Sequence, residues 1–246
     1  MPLVLDELLH GLSDLVYPPN CLICKKHITS LLPANEILCP KCLEDLKFNF
    51  PPFCPKCSRH LLEMDTAQCH HCLLHKPDFD FAWGTCLYRP PLDNLIHQFK
   101  YHQKSLWRHT FANLMIDFIK RYSFDIHQFD CLMPIPLSIT RLRERGFNQS
   151  QLLAEKIANA FDLPLSLNNF CRSRHTKSQT LLFSQKERWT NIHGAFRIKH
   201  SNQLLNKNIL LIDDLLTTGA TASEAARTLK NSGAKTVGVL TLAITI

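Results

Sequence analysis

Two adjacent acids, Asp213 and Asp214, follow a run of four apolar residues and precede a turn rich in hydroxyl groups. The turn, residues 217–221, contains one glycine, Gly219. Adjacent carboxylates can accept hydrogen bonds from the two hydroxyls of a ribose, and they can also help to hold a hydrated Mg²⁺ ion. Backbone amides and hydroxyls at the start of a helix favour a bound phosphate. The spacing therefore predicts a sugar-phosphate site.

The flanking pattern predicts a βαβ unit that positions this site. Residues 209–212 are apolar without a break, which is typical of a strand buried on both faces of a parallel sheet. Thr221 and Glu224 have capping-box spacing, so we expect Thr221 to cap the next helix and Gly233 to close it. A second apolar run, residues 237–246, completes the unit. Ligands of such sheets bind beyond the carboxyl ends of the strands, where the acids are expected. The alternative is an ordinary strand-turn-helix with an Asx turn.

Residues 209–221 resemble the phosphoribosyl-pyrophosphate (PRPP) motif of the type I phosphoribosyltransferases. The resemblance implies an α/β fold, a parallel sheet flanked by helices, and a PRPP-like ligand with Mg²⁺. It also implies that Asp213 and Asp214 contact the ribose hydroxyls. The residues that it assigns to the 5′-phosphate are Thr217, Thr218, Gly219, Ala220 and Thr221. It says much less about the reaction, because sites change more readily than folds.

The first third of the chain contains four C-x-x-C pairs. Each pair can place two thiolates on one metal, so the eight sulfurs satisfy two tetrahedral structural zinc ions. The pairs are Cys21/Cys24, Cys39/Cys42, Cys54/Cys57 and Cys69/Cys72. Sequential use of the pairs gives two successive zinc ribbons, and interleaved use gives a cross-brace. We favour the sequential arrangement, because residues 50–53 (Phe-Pro-Pro-Phe) form a stiff spacer.

A disulfide framework is the alternative reading of these cysteines, and it needs an oxidising compartment. The N-terminal segment argues against export. Residues 3–16 are apolar at helical spacing, which predicts a helix, but they contain Asp6 and Glu7 and lack a basic leader or a small-residue cleavage site. No stretch is apolar for long enough to span a bilayer. We therefore expect a cytoplasmic protein without membrane insertion. The single cysteines, Cys86, Cys131 and Cys171, are expected to be small buried residues.

Length predicts one medium domain and an appendage. We expect an N-terminal helix and double zinc-ribbon module over residues 1–78, and a phosphoribosyltransferase-like domain over residues 79–246. So short a module buries little apolar surface, so its folding would depend on the metal. In the second domain we expect strands over residues 82–88 and 131–137 and helices over residues 92–101 and 106–122.

A cluster of arginines, Arg141, Arg143 and Arg145, follows the second of these strands, and Asn148 with Gln151 predicts the cap of a further helix. We expect the arginines on a strand-to-helix loop, where they can bind a second phosphate group. Charge supports this placement. Residues 139–200 contain 11 Lys or Arg and 4 Asp or Glu, and the rest of the chain balances at 17 of each, so the whole net charge of +7 lies in this region. Such an excess steers polyanionic ligands.

Residues 172–191 lack clear periodicity and are expected to form a mobile lid. The basic residues of this segment, Arg172, Arg174 and Lys177, are candidate contacts for single-stranded DNA. Nearby aromatic residues, Phe147, Phe183 and Trp189, are candidates for stacking against its bases. A merely solvated basic face is the alternative.

Over its whole length the chain resembles the ComF/GntX-like competence proteins. The matching segments are the N-terminal zinc ribbon, Phe99-Lys100-Tyr101, residues 134–137, residues 145–149 (Arg-Gly-Phe-Asn-Gln), the spacing of Gln179, Arg188, Asn191 and residues 195–196, and the acid-and-threonine loop. The resemblance implies a role in natural transformation, where incoming single-stranded DNA is handled in the cytoplasm. Single-stranded DNA and another competence protein are the partners that it implies. No acceptor substrate comes with it.

Two functions stay open at this point. We favour a competence protein whose PRPP-binding fold acts as a sensor or scaffold, with Lys100 among the ligand-binding residues. The alternative is an active phosphoribosyltransferase that transfers the 5-phosphoribosyl group from PRPP to an unknown acceptor in nucleotide metabolism. Its catalytic residues would be Asp213, Asp214 and Arg145, with Arg141 or Arg145 neutralising the pyrophosphate leaving group.

Overall fold

The computed structural model describes residues 20–28, 37–61, 68–101, 107–174, 176 and 184–246. By packing, the chain divides into two units, Met1–Lys47 and Phe48–Ile246. The second cysteine group therefore packs in the same unit as the sheet, and the domain boundary expected at residue 78 stays a prediction. The expected N-terminal helix lies outside the described residues, as do Lys177, Gln179 and Phe183 of the expected lid. Within the described ranges, no helix has the length and hydropathy needed to cross a membrane.

Each cysteine group is built from a tight turn followed by a short helix. In the first unit, Asn20 and His27 form an antiparallel bridge around the turn that carries Cys21 and Cys24. Helix α1 (Pro40–Glu44) starts directly after Cys39, with proline at its first position.

The second unit begins with the same arrangement. Phe53 and His60 form the bridge around Cys54 and Cys57, and helix α2 (His70–His75) starts directly after Cys69. The local structure thus repeats the sequence repeat.

The centre of the second unit is a sheet of four parallel strands in the order β1-β6-β5-β2. Two further strands, β3 and β4, pair as a separate antiparallel ribbon. In chain order the strands are β1 (Phe81–Leu87), β2 (Cys131–Pro134), β3 (Phe170–Arg172), β4 (Phe196–Ile198), β5 (Asn208–Leu216) and β6 (Thr236–Ile244). Ile209 of β5 lies opposite Cys131 of β2 and Val237 of β6. The two predicted apolar runs therefore lie in the buried central strands, residues 209–212 in β5 and residues 237–244 of the second run in β6.

Six α-helices follow β1 in the described residues of the second unit: α3 (Leu92–Tyr101), α4 (Arg108–Arg121), α5 (Ile139–Arg145), α6 (Gln149–Phe161), α7 (Gln185–Ile192) and α8 (Ala220–Asn231). Of these, α4, α6 and α8 pack against strands of the four-stranded sheet. Ile209 and Leu211 of β5 share a buried cluster with Ala225 and Leu229 of α8, so this helix lies on the face to which the odd-numbered residues of β5 point. Helix α6 contacts α4, β2 and β5. Strand β5, helix α8 and strand β6 form the βαβ unit that was predicted for residues 209–246.

Two predicted features differ from the structure. Thr221 is not the helix cap: Gly219, at φ +72°, is the N-cap, and α8 starts at Ala220. The left-handed conformation of Gly219 turns the chain into the helix two residues earlier, and Glu224 instead accepts a hydrogen bond from the Gly194 amide at 2.7 Å. The acids also do not end the strand, because β5 runs through them to Leu216.

The arginine segment is a helix rather than a loop. Helix α5 starts after Ser138, whose hydroxyl accepts from the Arg141 amide at 3.4 Å, and it ends at Gly146, at φ +79°. The hydroxyl cap and the left-handed glycine mark the start and the end of this helix of about two turns. The predicted strand before it stops at Pro134. Cys86 is buried as expected, whereas Cys131 and Cys171 are only half-buried.

Candidate functional site

A cavity of about 970 Å³ lies at the carboxyl edge of the sheet in the second unit. Strand β2 ends at Pro134, opposite Ile212, so the two acids of β5 extend beyond the end of their neighbouring strand. Both acids line the cavity. The early end of β2 thus opens the space into which the longer strand β5 places its carboxylates.

The two carboxylates have different partners. Asp213 Oδ1 accepts from Ser150 Oγ at 2.8 Å and from the Asp214 amide at 2.9 Å. Asp214 Oδ2 lies 3.0 Å from Lys100 Nζ, and Asp214 is only 7% exposed. Asp214 is thus not open to solvent, because Lys100 of α3 covers it. Burial raises the pKa of Asp213 to about 7, and the charge of Asp214 acts in the same direction.

Residues 145–150 connect the walls of the cavity. Arg145 donates to Gln149 Oε1 at 3.1 Å, and Gln149 donates to the Lys100 carbonyl at 3.4 Å. Asn148 caps α6 through the Ser150 amide, as predicted, and its side chain also donates to the Ile135 carbonyl at 3.1 Å. This segment holds α3, the residue after β2, and Asp213 in fixed relation.

The arginines of α5 divide by burial. Arg141 and Arg145 line the cavity, and Arg145 is 8% exposed, whereas Arg143 is exposed and is not part of the lining. The catalytic role predicted for Arg145 stays a prediction. In the structure this side chain donates a hydrogen bond to Gln149 in the wall of the cavity.

The predicted phosphate loop borders the same cavity. Thr217, Thr218, Gly219 and Thr221 belong to the lining, whereas Ala220 is fully buried and lies outside it. The Thr218 hydroxyl accepts from the Ala220 amide at 3.4 Å, as an ST turn at the entry of a helix does. The acids and the loop, predicted from one stretch of sequence, therefore share one site with Lys100, Arg141 and Arg145.

Arg172 was expected on a lid and lies instead on β3, half-buried in the cavity wall. Its guanidinium donates to Thr176 and lies 5.6 Å from the centre of the Phe196 ring. Burial lowers the pKa of Arg172 to about 10, and the nearby charge of Arg141 acts in the same direction. Within the described residues, Arg172 Nε has no hydrogen-bond partner. A half-buried cation held beside another cation is well placed to bind an anion.

Sequence reasoning also missed two cavity residues from the second cysteine group, Arg59 and His71. The Arg59 guanidinium donates to the Thr217 carbonyl, and His71 Nε2 lies 2.8 Å from the Thr218 carbonyl oxygen. Their only signal in the sequence is position: Arg59 is two residues after Cys57, and His71 precedes Cys72. Nothing local connects either residue with a loop about 150 positions away.

The cysteines form two four-sulfur groups, in the sequential pairing that was predicted. The ligand atoms of each group lie within 4.8 Å of one another; Cys24 and Cys39 sulfurs are 3.7 Å apart, and Cys57 and Cys69 sulfurs are 3.5 Å apart. Zinc–sulfur bonds of about 2.3 Å in a tetrahedron require sulfur separations of about 3.8 Å. The Cys69 amide also donates to the Cys54 sulfur at 3.3 Å, which favours a thiolate. Both groups fit structural zinc.

Two family models match the chain: a double zinc ribbon domain over residues 12–73 and a phosphoribosyl transferase domain over residues 148–244. These matches confirm the predicted fold class.

Two named relatives match most of the chain, and a third matches a shorter part at higher identity. Competence protein F of Haemophilus influenzae is 32% identical over 187 residues, which are 74% of this chain and 80% of that protein. DNA utilization protein YhgH of Salmonella typhimurium is 33% identical over 180 residues, 72% of this chain and 78% of that protein. Competence protein ComFC of Bacillus subtilis is 45% identical over 103 residues, 42% of this chain and 39% of that protein.

Proposed function

Because the chain belongs to the ComF/GntX-like competence protein family, we propose that it acts in the cytoplasm in the handling of incoming DNA, and that its cavity binds PRPP or a related sugar phosphate. The names of the relatives support the first part, and the phosphoribosyl transferase match supports the second. The observation that carries the proposal is the meeting of an acid pair, a helix-entry loop and several arginines in one cavity.

Each part of PRPP has a chemical counterpart in this cavity. Asp213 and Asp214 would accept hydrogen bonds from the ribose hydroxyls, and the loop of residues 217–221 would donate amides and hydroxyls to the 5′-phosphate. Arg141 and Arg172 would bind the pyrophosphate, which supplies the missing partner of the Arg172 Nε atom. Mg²⁺, held by the ligand's oxygens with help from the acids, would neutralise charge on the pyrophosphate.

An active phosphoribosyltransferase is the second candidate function. It is favoured by the place of Asp213 in the cavity, where burial raises its pKa to about 7, because such an acid can exchange a proton near neutral pH. In that reaction an acceptor nucleophile bonds to the anomeric carbon of the ribose while the bond to pyrophosphate breaks, and the pyrophosphate leaves with its electron pair. Arg145 and Arg141 would stabilise the charge that develops on it.

The proposed partner is single-stranded DNA or another competence protein. Two exposed cations at β4, Arg197 and Lys199, belong to the basic region of residues 139–200 and are candidate phosphate contacts. The aromatic residues expected to stack on bases are otherwise engaged in part: Phe147 lies 5.8 Å from the Phe99 ring, and Trp189 stacks on His75. Arg172, in the cavity wall, is better suited to the sugar-phosphate ligand than to DNA.

The proposal is tested by calorimetry with PRPP and Mg²⁺. Replacing both acids, Asp213→Asn with Asp214→Asn, should weaken PRPP binding about 100-fold or more, because charge-assisted hydrogen bonds contribute about 1.5–3 kcal/mol each. The control is Asp117→Asn, which changes an exposed carboxylate of α4. Unchanged affinity in a folded double variant would place the ligand elsewhere. Mass spectrometry of released pyrophosphate across candidate acceptors then separates an enzyme from a sensor.

A further inference from the structure

The second cysteine group reaches the phosphate loop directly. The Arg59 guanidinium donates to the carbonyl of Thr217, and His71 Nε2 lies 2.8 Å from the carbonyl of Thr218. These are consecutive peptide groups at the turn between β5 and α8. Arg59 lies two residues after Cys57 and His71 directly before Cys72, so the cysteine group positions the backbone from which both side chains extend.

Peptide geometry translates these two contacts into an orientation of the loop amides. In a planar trans peptide the C=O and N–H bonds point in opposite directions. Arg59, by holding the Thr217 carbonyl, fixes the direction of the Thr218 amide, and His71 fixes the Gly219 amide in the same way. The two amides therefore point away from the cysteine group. They are the groups that a loop at a helix entry uses to bind phosphate.

The Arg59 contact adds to a hydrogen bond that the Thr217 carbonyl already accepts. The Thr217 carbonyl already accepts a hydrogen bond from Thr245 Oγ1 at 3.2 Å. Arg59 thus adds a second, charged donor, which stiffens the peptide and brings a positive charge to the cavity wall.

Helix α2, which carries His71, also contacts helix α7. The His75 ring stacks on Trp189 of α7 at 5.2 Å between centroids and 12° between planes, and His71 and His75 rings lie 4.6 Å apart. Trp189 packs on the buried cluster that contains Cys54, Cys57 and Cys72. Its neighbour Arg188 lines the cavity. One cysteine group therefore supports both the phosphate loop and the helix that carries a cavity arginine.

We propose that the second zinc ribbon is a positioning element of the ligand cavity, in which Arg59 and His71 hold the phosphate loop in its anion-binding conformation. The inference rests on the proposed binding of a sugar phosphate. Because binding free energies are reciprocal, a ligand that needs the held loop also stabilises the ribbon that holds it. Arg59 and His71 are positioning residues that act through the Thr217–Thr218 and Thr218–Gly219 peptides.

The test compares three variants of the full-length protein: Arg59→Ala, His71→Ala and the control His70→Ala. His70 is an exposed neighbour on the same helix and stands next to a ligand cysteine, as His71 does, but it does not line the cavity. All three should retain two zinc ions per chain by elemental analysis. Arg59→Ala and His71→Ala should each weaken PRPP binding about tenfold, as the loss of a hydrogen bond of about 1.4 kcal/mol does, whereas His70→Ala should not. His71→Gln, whose amide can donate from a similar position, should recover most of the loss.

Hydrogen exchange without any ligand makes the result independent of PRPP. Peptides that cover residues 216–223 should exchange faster in Arg59→Ala and His71→Ala than in wild type or His70→Ala, since released peptide groups fluctuate more. Unchanged exchange of this loop in both variants would overturn the inference, whether or not PRPP binds. Wild-type protein that fails to bind PRPP, while the loop still loosens in the variants, would reject the proposed ligand and retain the positioning by the ribbon.

Discussion

The two cysteine groups have the same kind and number of ligands, the same C-x-x-C spacing and the same local turn-and-helix structure, but they differ in their surroundings. In the first group Cys24 is exposed and Cys39 half-buried; in the second, three of the four thiols are buried. These three, Cys54, Cys57 and Cys72, belong to the same buried cluster as β5 and α8. A repeated metal motif can therefore serve a local fold at one place and a functional cavity at another. Residues outside the motif decide which.

The largest effect should come from removing a ligand of the second cysteine group, compared with removing a ligand of the first. Cys54→Ser should destabilise the whole second unit by more than about 4 kcal/mol, since it removes a metal ligand from the core of that unit. The sequence alone predicts a metal-dependent module over residues 1–78, so it would confine this loss to that module. Cys24→Ser should leave unfolding of the second unit and PRPP binding unchanged. Thermal unfolding and zinc content are measured for both variants. Equal destabilisation of the second unit by Cys54→Ser and Cys24→Ser would contradict the difference between the two groups.

The next effect concerns the cavity side of the comparison and depends on pH. Asp213 has a pKa raised in the fold to about 7, so its protonated form stabilises the free protein, and this contribution is lost as pH rises from about 4 through about 7. Ribose hydroxyls prefer the ionised form, so PRPP affinity should rise about tenfold between pH 6 and pH 8. Calorimetry at several pH values checks this. Asp213→Asn should flatten the profile, and a flat wild-type profile would contradict the assignment.

The smallest effect concerns DNA binding. It tests whether single-stranded DNA binds to the basic region of the second unit, residues 139–200. Affinity for single-stranded DNA should fall with salt, and replacing Arg197 and Lys199 by alanine should make the slope shallower by about 0.7 for each lost phosphate contact. Lys207→Ala serves as the control, because Lys207 pairs with Asp130 at 3.0 Å outside that region. Fluorescence titrations at several salt concentrations measure the slopes. Identical slopes for all proteins would move the DNA site elsewhere.

The sequence predicts the parts of the site that are formed by residues close together in the chain. The acids, the loop and α8 follow one another along the chain, so their meeting at a strand end could be predicted, and so could the pairing of neighbouring cysteines. The helix start was misplaced at Thr221 because the φ of Gly219, which admits the helix earlier, has no signal in a capping pattern. Arg59 and His71 were missed for a different reason. Their contacts with Thr217 and Thr218 depend on how a ribbon packs against a sheet.

Zinc release is the most direct test that the two cysteine groups differ in function. The rate of zinc release from wild-type protein to a chromogenic chelator is measured in the presence and absence of PRPP with Mg²⁺. The variant Cys24→Ser, which lacks a ligand of the first group, identifies the kinetic phase of release that belongs to the second group. Since coupling between sites amounts to about 1–3 kcal/mol, PRPP should slow release from the Cys54 group about fivefold or more and leave the Cys21 group unchanged. Equal protection of both groups by bound PRPP, or protection of neither, would contradict the assignment of the second ribbon to the ligand cavity.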